Sequence, residues 1–218
     1  MYGKYFVCVY PLLHCCCCFL ECNRADILII LDASGSIQHS GRTNWPNMLN
    51  FTNGIIENFP VSQENVRISL IRFSTSVRIE LYLNNNYTRG GLIDFVNNLE
   101  LIGSRTSIAD AFSRAYDEVF VEANGDRPEV RNMLFLLTDG KETERSHEEV
   151  VEEARKLKEE KGVEIFTVAI LGDVDEYELL TISSEPADSH YYSVENFDQL
   201  QPTLSDVIDG ACEVPCKL

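Results

Sequence analysis

The feature that most constrains the fold of this chain is an alternation, from residue 25 onward, of short apolar runs with longer amphipathic segments. The runs 26–31 (DILIIL), 133–137 (MLFLL) and 163–171 (VEIFTVAIL) have the length and aliphatic content of strands that are covered on both faces. Segments such as 147–161 carry apolar residues at helical spacing and charged residues elsewhere. This order predicts βαβ units stacked around a mostly parallel sheet.

One pair of strands departs from the parallel pattern. Segments 67–73 (RISLIRF) and 77–83 (VRIELYL) are separated only by residues 74–76, which is too short a link for a helical crossover. They predict a hairpin whose second strand forms the edge of the sheet. The expected fold class is therefore α/β: a three-layer α/β/α, doubly wound, Rossmann-like sandwich with a mostly parallel sheet and one antiparallel edge strand.

The remaining elements follow from the same periodicities. Predicted helices cover residues 45–59, 91–99, 107–121, 147–161, 176–182 and 197–209, and a last strand covers 190–194. Pro202 is expected either to bend the last helix or to mark its first turn. No internal repeat or low-complexity linker is visible, and 44% of the 218 residues are hydrophobic, so we expect one domain with a sizeable core.

The charge balance restricts the partners of this domain. The chain has 18 Lys and Arg residues against 35 Asp and Glu residues, a formal net charge of −17. Such a chain repels phosphate backbones at long range, which argues against nucleic acid as a partner. An acidic surface is compatible with divalent cations or with basic partners.

The first 21 residues differ from the rest. Lys4 precedes an apolar run from Tyr5 to Leu20, and polar residues follow, which is the order of a secretory signal peptide. The run is shorter than the roughly 20 residues of a spanning helix, so we expect no membrane span. We therefore divide the chain into a signal peptide (1–21), one domain (22–212) and a tail (213–218). The alternatives are a palmitoylated cysteine cluster or an incorrectly assigned start of the chain.

All eight cysteines lie near the two ends of the chain. If the first segment is removed, Cys22, Cys212 and Cys216 remain, and a bridge from Cys22 to Cys212 could tie the first strand to the last helix in an oxidising compartment. Closing so long a loop stabilises a fold by roughly 4 to 5 kcal/mol on the chain-entropy model. Cys216 is then left over as a candidate for an intermolecular disulfide. The alternative is that these cysteines are free, inert thiols.

Oxygen-bearing side chains follow the strands whose carboxyl ends should meet at one edge of the sheet. Asp32, Ser34 and Ser36 alternate directly after the first strand, and Asp139 follows the second buried strand. The segment 104–107 adds a hydroxyl from a third loop. Carboxylate and hydroxyl oxygens are hard ligands, suited to Mg²⁺, Mn²⁺ or Ca²⁺. Ligands of doubly wound sheets bind at this edge, so we expect the functional site there.

These residues resemble the metal-ion-dependent adhesion site of the von Willebrand factor A family, also called the integrin I-domain fold. The DxSxS motif of the family matches Asp32, Ser34 and Ser36, its threonine matches Thr106, and its TDG aspartate matches Asp139. The resemblance covers roughly residues 22 to 212 and implies a Mg²⁺ ion, with Mn²⁺ or Ca²⁺ as substitutes. It implies direct ligation by the three hydroxyls, with the aspartates often acting through water.

The resemblance also implies what the site does. An acidic residue of a partner fills an open position on the metal, so the chain is expected to be a secreted adhesion or extracellular-matrix protein that binds collagen or another matrix protein. One position departs from the family pattern. Many relatives have a glycine pair before the threonine, whereas this chain has Ser104 and Arg105. Arg105 would lie beside the metal and either pair with an acidic ligand or screen the cation.

Two Asn-x-Thr sequons fit a secreted protein. Asn86 lies in a polar turn and is the better candidate for glycosylation. Asn50 falls inside a predicted helix.

Other functions were weighed against adhesion. A metal-dependent hydrolase or phosphotransferase would use Asp32 as a nucleophile, but such sites usually have a second carboxylate two residues on, where this chain has Ser34. No Lys or His is predicted beside the metal as an acid or base, so we expect no enzyme activity. A dinucleotide site would need a G-x-G-x-x-G segment after the first strand, and none is present. An intracellular scaffold of the same fold is the remaining alternative if the N-terminal run is not a signal.

Overall fold

A computed structural model describes residues 22–103 and 105–212, without the side chains of residues 38–40, 171 and 173. Within them, six strands form one sheet in the order β3-β2-β1-β4-β5-β6. Neighbouring strands are parallel except for the antiparallel pair β2–β3. This confirms the predicted fold class. The strands are β1 (Ala25–Asp32), β2 (Val66–Phe73), β3 (Val77–Leu81), β4 (Arg131–Gly140), β5 (Val163–Asp173) and β6 (Tyr191–Val194).

Seven α-helices flank the sheet in the described part of the chain. They are α1 (Gly35–Ser40), α2 (Asn44–Asn58), α3 (Arg89–Asn97), α4 (Ile108–Arg114), α5 (His147–Glu160), α6 (Glu176–Ile182) and α7 (Leu200–Cys212). Pro202 lies in the first turn of α7, where its missing N–H costs nothing.

Several details differ from the predicted elements. Helices α3 and α7 are shifted by two or three residues from the predicted ranges 91–99 and 197–209. The segment 107–121, expected to be one α-helix, is α-helical only as far as Arg114, and a π-helical turn, Ala115–Val119, follows it. In this turn the Phe120 N–H donates to the Ala115 carbonyl at 3.0 Å. The strand expected over 77–83 ends at Leu81. Helix α1 was not predicted, because it is six residues long and too short to show a helical period.

Strand β1 lies in the interior of the sheet and explains the uniformly apolar run that predicted it. All of its residues are buried. Ile27, Ile29 and Leu31 pack into the core cluster that contains α2, α3 and α7 residues, whereas Leu28 and Ile30 pack into the cluster with α4 and α5 residues. A strand covered on both faces needs apolar side chains on both, so its hydrophobicity does not alternate.

The sheet order also positions the functional edge. From the central pair β1 and β4, the connections lead outward to β2 on one side and to β5 on the other. The carboxyl ends of β1 and β4 are therefore adjacent, and the loops that follow them diverge and leave a crevice. This reversal of strand order is where doubly wound sheets bind their ligands.

A disulfide joins Cys22, just before β1, to Cys212 at the end of α7, with the Cα atoms 5.3 Å apart. This is the pair that the sequence suggested. Because β1 runs from this end toward Asp32, the disulfide lies at the opposite edge of the sheet from the crevice.

The predicted signal peptide, the tail and Cys216 lie outside the described residues. In the described part of the chain, residues 22–103 and 105–212, none of the helices is long and apolar enough to cross a membrane.

A buried ion pair lies near the same edge as the disulfide. Asp26 is fully buried, and its Oδ1 accepts a hydrogen bond from Arg127 Nη2 at 2.7 Å. Arg127 Nε also donates to the Asp26 carboxylate, at 3.0 Å from Oδ1. The guanidinium donates in addition to three backbone carbonyls: Nη2 to Ala25 and Asn65 at 2.9 and 2.8 Å, and Nη1 to Glu64 at 3.0 Å. One arginine therefore joins β1 to the segments that precede β2 and β4.

Candidate metal centre

The Asp32 carboxylate stands at the end of β1 and is held from two directions. Its Oδ1 accepts a hydrogen bond from the Ser34 N–H at 2.8 Å, and its Oδ2 accepts one from the Thr138 hydroxyl at 2.6 Å. The first bond folds the chain back as it leaves β1, and the second joins β1 to β4. Asp32 is completely buried, so the direction of its carboxylate is fixed by these two donors.

A chain of hydroxyl contacts connects the two strand ends. Ser36 Oγ donates to Asp139 Oδ1 at 2.6 Å. Because this bond uses the only hydroxyl proton of Ser36, Ser34 Oγ is the donor in the 2.9 Å contact between the two serines. Ser34 and Asp139 are buried, whereas Ser36 is partly exposed. The structure thus brings Ser34, Ser36 and Asp139 into contact, although Ser36 and Asp139 are 103 residues apart.

Thr106 completes the group from a third loop, and Gly140 shows how closely the oxygens converge. A Cβ atom on Gly140 would lie 3.1 Å from Thr106 Oγ1 and 3.8 Å from both Asp32 Oδ2 and Ser36 Oγ. Side-chain oxygens from three loops therefore surround one small space. A glycine at position 140 leaves that space open.

The conformation of the third loop depends on a residue that the sequence did not reveal. The Thr106 N–H donates to Thr143 Oγ1 at 3.1 Å, and the Thr143 hydroxyl and N–H donate to the Thr106 carbonyl at 2.9 and 3.1 Å. These three bonds fix the backbone of Thr106 against the loop that follows β4. Thr143 carries no motif, so no sequence signal could have identified this role.

Glu142 is a second residue that sequence reasoning missed. Its Oε1 accepts hydrogen bonds from the N–H groups of Thr143, Glu144 and Arg145, and its Oε2 accepts one from the Ala109 N–H at 2.9 Å. One carboxylate therefore shapes the loop after β4 and joins it to the first turn of α4.

The electrostatics of the crevice favour a cation. Burial raises the pKa of Asp32 to about 6, against the lowering effect of the Thr138 and Ser34 hydrogen bonds, and the charge of Asp139 raises it further. Burial also raises the pKa of Asp139. The hydrogen bonds that these carboxylates accept come from hydroxyl and backbone donors, which carry no formal positive charge. Two neighbouring buried carboxylates held only by neutral donors are stabilised by a bound cation.

The character of the donors restricts that cation. Across the described residues, no three His, Cys, Asp or Glu side chains are grouped as metal ligands. The donors at the crevice are instead two carboxylates and three hydroxyls. An all-oxygen set suits hard cations such as Mg²⁺ and lacks the imidazole or thiolate ligands that softer metals prefer.

Arg105 is next to Thr106 in the chain, but its side chain has its own partner. Its Nη1 forms an ion pair with Glu144 Oε1 at 3.0 Å, and its side chain is 70% exposed. Its N–H donates to Thr75 Oγ1 at 3.1 Å. The charge of Arg105 is therefore balanced by Glu144. Its predicted place beside a metal, where it would pair with an acidic ligand or screen the cation, stays a prediction.

A cleft of about 540 Å³ opens beside the crevice and shares Ser36 and Asp139 with it. Ile170 and Phe197, both buried, contribute apolar surface to it. The exposed residues Glu195 and Asp198 contribute carboxylates, and among the described residues that line the cleft there is no Lys or Arg. The surface beside the candidate metal centre is therefore apolar at its base and negatively charged.

The two predicted glycosylation sites lie away from this crevice. Asn86 is exposed in the loop between β3 and α3. Asn50 is exposed on α2.

The sheet order and the oxygen-lined crevice define a doubly wound α/β domain with a candidate cation site at the reversal of strand order. The family model described as von Willebrand factor type A domain matches residues 26–207, and the chain belongs to this family.

The domain is related to parts of known matrix proteins. The chain is 32% identical over 196 residues to the collagen α-1(XII) chain of Notophthalmus viridescens, covering 88% of this chain and 20% of that one. It is 28% identical over 191 residues to matrilin-2 of Mus musculus, covering 86% of this chain and 19% of that protein. The chain thus spans about a fifth of the length of each of these extracellular matrix proteins.

A solved structure gives the same fold. Proximal thread matrix protein 1 from the mussel byssus, with a zinc-occupied MIDAS motif, superposes with a TM-score of 0.82 at 26% identity. The match covers 88% of this chain and 49% of that one.

Proposed function

We propose that this chain is a secreted, non-enzymatic adhesion module of the extracellular matrix, which holds a Mg²⁺ ion in the crevice and binds an acidic group on a matrix protein. The metal is held by Asp32, Ser34, Ser36, Thr106 and Asp139. The observation that carries the proposal is the convergence of side-chain oxygens from three loops on the space in front of Gly140.

The residues present fit a hard divalent cation. The oxygens of Asp32, Ser36 and Thr106 all face one space, and Ser34 and Asp139 contact Ser36 directly. A bound Mg²⁺ supplies positive charge and an open coordination position for a carboxylate of the partner. Mn²⁺ or Ca²⁺ suit the same oxygen donors. The zinc-occupied motif of the mussel protein supports a metal at the equivalent place in this family.

The protein residues orient this site in advance. Thr138 and the Ser34 N–H hold the Asp32 carboxylate, and Thr143 holds the backbone of Thr106. Because these contacts already fix the donors, little ordering is required when a cation or partner binds.

The geometry argues against the hydrolase alternative. A nucleophilic carboxylate has to reach the substrate, but Asp32 is fully buried and both of its oxygens already accept hydrogen bonds. The similarity to a collagen chain and to a matrilin also supports a non-enzymatic role. The disulfide supports an oxidising compartment outside the cytosol.

The charge of the neighbouring cleft indicates what surrounds the acidic group of the partner. Glu195 and Asp198 repel further carboxylates and favour a Lys or Arg side chain, whose apolar stem fits against Ile170 and Phe197. The preferred partner is therefore a matrix protein segment that carries an acidic residue close to a basic one.

Metal binding is tested by substituting the glycine that leaves the crevice open. We expect Gly140→Ala to weaken Mg²⁺ or Mn²⁺ binding by at least about tenfold in calorimetric titration, because the methyl group enters the space between the donor oxygens. Gly172→Ala is the matched control, since a Cβ there has no atom within 4 Å. Equal affinities for the two variants and the wild type would contradict the assignment of the crevice.

Adhesion is tested on immobilised collagens and matrilin. Binding is expected to disappear in EDTA and to return with excess Mg²⁺. Asp139→Ala should abolish it with an unchanged circular dichroism spectrum, because Asp139 lies at the end of β4 and outside both core clusters. The control is Asp94→Ala, which removes an exposed carboxylate on α3. Full binding in the chelator would exclude a metal-dependent mechanism.

A further inference from the structure

A second cleft runs over α2 between α3 and the start of α7; it contains none of the proposed metal ligands but shares Phe197 and Asp198 with the cleft beside the metal centre. Its volume is about 540 Å³. Carboxamides dominate its lining: Asn47, Asn50, Asn53, Asn97 and Gln201. Such a surface offers both hydrogen-bond donors and acceptors, and Glu57 and Asp198 add two carboxylates as further acceptors. Donors and acceptors of this kind recognise sugar hydroxyl and acetamide groups.

Part of this hydrogen-bonding capacity is not used by the protein. Asn47 Nδ2 donates to Asp198 Oδ1 at 2.9 Å, and Asn53 Nδ2 donates to Asn97 Oδ1 at 2.7 Å. These bonds join α2 to the turn before α7 and to α3. Asn53 is only 9% exposed, yet its Oδ1 accepts no hydrogen bond from any described residue. Because this oxygen is itself buried, a ligand in the cleft meets instead the exposed carboxamides of Asn50, Asn97 and Gln201.

The cleft also contains an attachment point. Asn50 is exposed and begins the sequon Asn50-Phe51-Thr52. Thr52 is fully buried, and its hydroxyl donates to the Met48 carbonyl at 2.8 Å. The sequon hydroxyl is thus inaccessible in the folded domain, so a sugar has to be attached before α2 folds.

We propose that Asn50 carries an N-linked glycan whose first N-acetylglucosamine lies in this cleft and contacts both α3 and α7. This inference rests on the secretion assumed in the proposed function. In the attachment step, the Asn50 amide nitrogen loses a proton and bonds to the anomeric carbon of the sugar. The lipid-linked diphosphate that delivers the oligosaccharide is the leaving group.

The lining offers contacts for both the apolar and the polar groups of a pyranose ring. Ile93 and Phe197 offer apolar surface to the sugar C–H groups and the acetyl methyl group. The carboxamides on the neighbouring walls offer partners for the hydroxyl groups. The glycan then joins α2 to two other helices and stabilises a region where α2 and α7 already pack closely, since a Cβ on Gly54 would lie 2.3 Å from Leu204.

Asn86 provides a contrast within the same chain. Its sequon, Asn86-Tyr87-Thr88, lies in a loop whose neighbours Asn84 and Asn85 are also exposed. A glycan on Asn86 is expected to extend into solvent and to leave the stability of the domain unchanged.

The experiment uses the full chain secreted from a eukaryotic host, with Asn50→Gln and Asn86→Gln as matched variants. Glycopeptide mass spectrometry should show sugar on Asn50. Peptide:N-glycosidase should release that glycan at least about tenfold more slowly from the native chain than from the unfolded chain. Asn50→Gln should lower the Tm by about 2–4 °C relative to wild type, the shift that one lost net hydrogen bond produces in a domain of this size. Asn86→Gln should not lower it.

A further control separates the effect of the glycan on the Tm from the effect of the Asn50→Gln substitution itself. Asn50→Gln and wild-type chains made without glycosylation in an oxidising compartment should have the same Tm. A secreted chain with unmodified Asn50, or with equal release from native and unfolded protein, would overturn the inference and leave the metal site untouched. A chain that is not secreted at all would overturn both the inference and the assumed localisation, whereas metal titration of the purified domain tests the crevice independently.

Discussion

Arg127→Met is expected to lower the free energy of unfolding by about 3–5 kcal/mol, because it leaves the Asp26 carboxylate buried and unpaired. The guanidinium is the charged partner of Asp26 and also satisfies three backbone carbonyls. A fully buried carboxylate that loses its counter-charge still carries the free-energy cost of its burial, and this cost makes up most of the expected loss of stability. Urea titration at pH 7, followed by circular dichroism, measures it.

The matched control is Arg24→Met, which makes the same substitution in a nearby pair. Arg24 bonds Glu129 at 3.0 Å, but both side chains are more than half exposed. Exposed ion pairs contribute about 0–1 kcal/mol, so we expect a change several times smaller. If the two variants were equally stable, the buried network would have no special role.

Removing the disulfide should have an effect of similar size. Cys22→Ala combined with Cys212→Ala is expected to lower the free energy of unfolding by about 5 kcal/mol, since the bond closes a loop between residues separated by 190 positions. The loss arises mainly from the larger conformational freedom of the unfolded chain. The native sheet should therefore survive at low denaturant concentration.

Denaturant titration of the oxidised wild type, the reduced wild type and the double variant measures this effect. The unfolding curves of the reduced wild type and the double variant should coincide, because both proteins lack the disulfide. Both should unfold at a lower denaturant concentration than the oxidised wild type. A double variant as stable as the oxidised wild type would show that the bond contributes nothing.

The sequence predicted the architecture because the apolar runs reveal burial on two faces. Asp32, Ser34 and Ser36 could be identified for the same reason: they follow such a run directly, at a spacing that one tight turn brings together. Asp139 follows the neighbouring strand of the sheet. Two uniformly apolar, parallel strands therefore indicated a shared edge, which the structure shows as the contact between Ser36 and Asp139.

The supporting contacts could not be predicted, because they depend on loop conformation. Thr143 and Glu142 act through backbone groups, and any polar residue in that segment would have looked the same in the sequence. The Asp26–Arg127 pair joins residues 101 positions apart, and Asp26 looked like the polar first residue of a strand. Helix α1 and the π-helical turn are too short to produce a recognisable period.

The position of the disulfide has a mechanical consequence for a protein related to matrix fibres. Cys22 and Cys212 lie 5.3 Å apart, so chain leading into the domain and chain leading out of it meet at one covalent point. A pulling force applied at residues 22 and 212 passes through the sulfur–sulfur bond and bypasses the sheet. We therefore expect the domain to remain folded under such a force. Its crevice, at the opposite edge, keeps its shape under load.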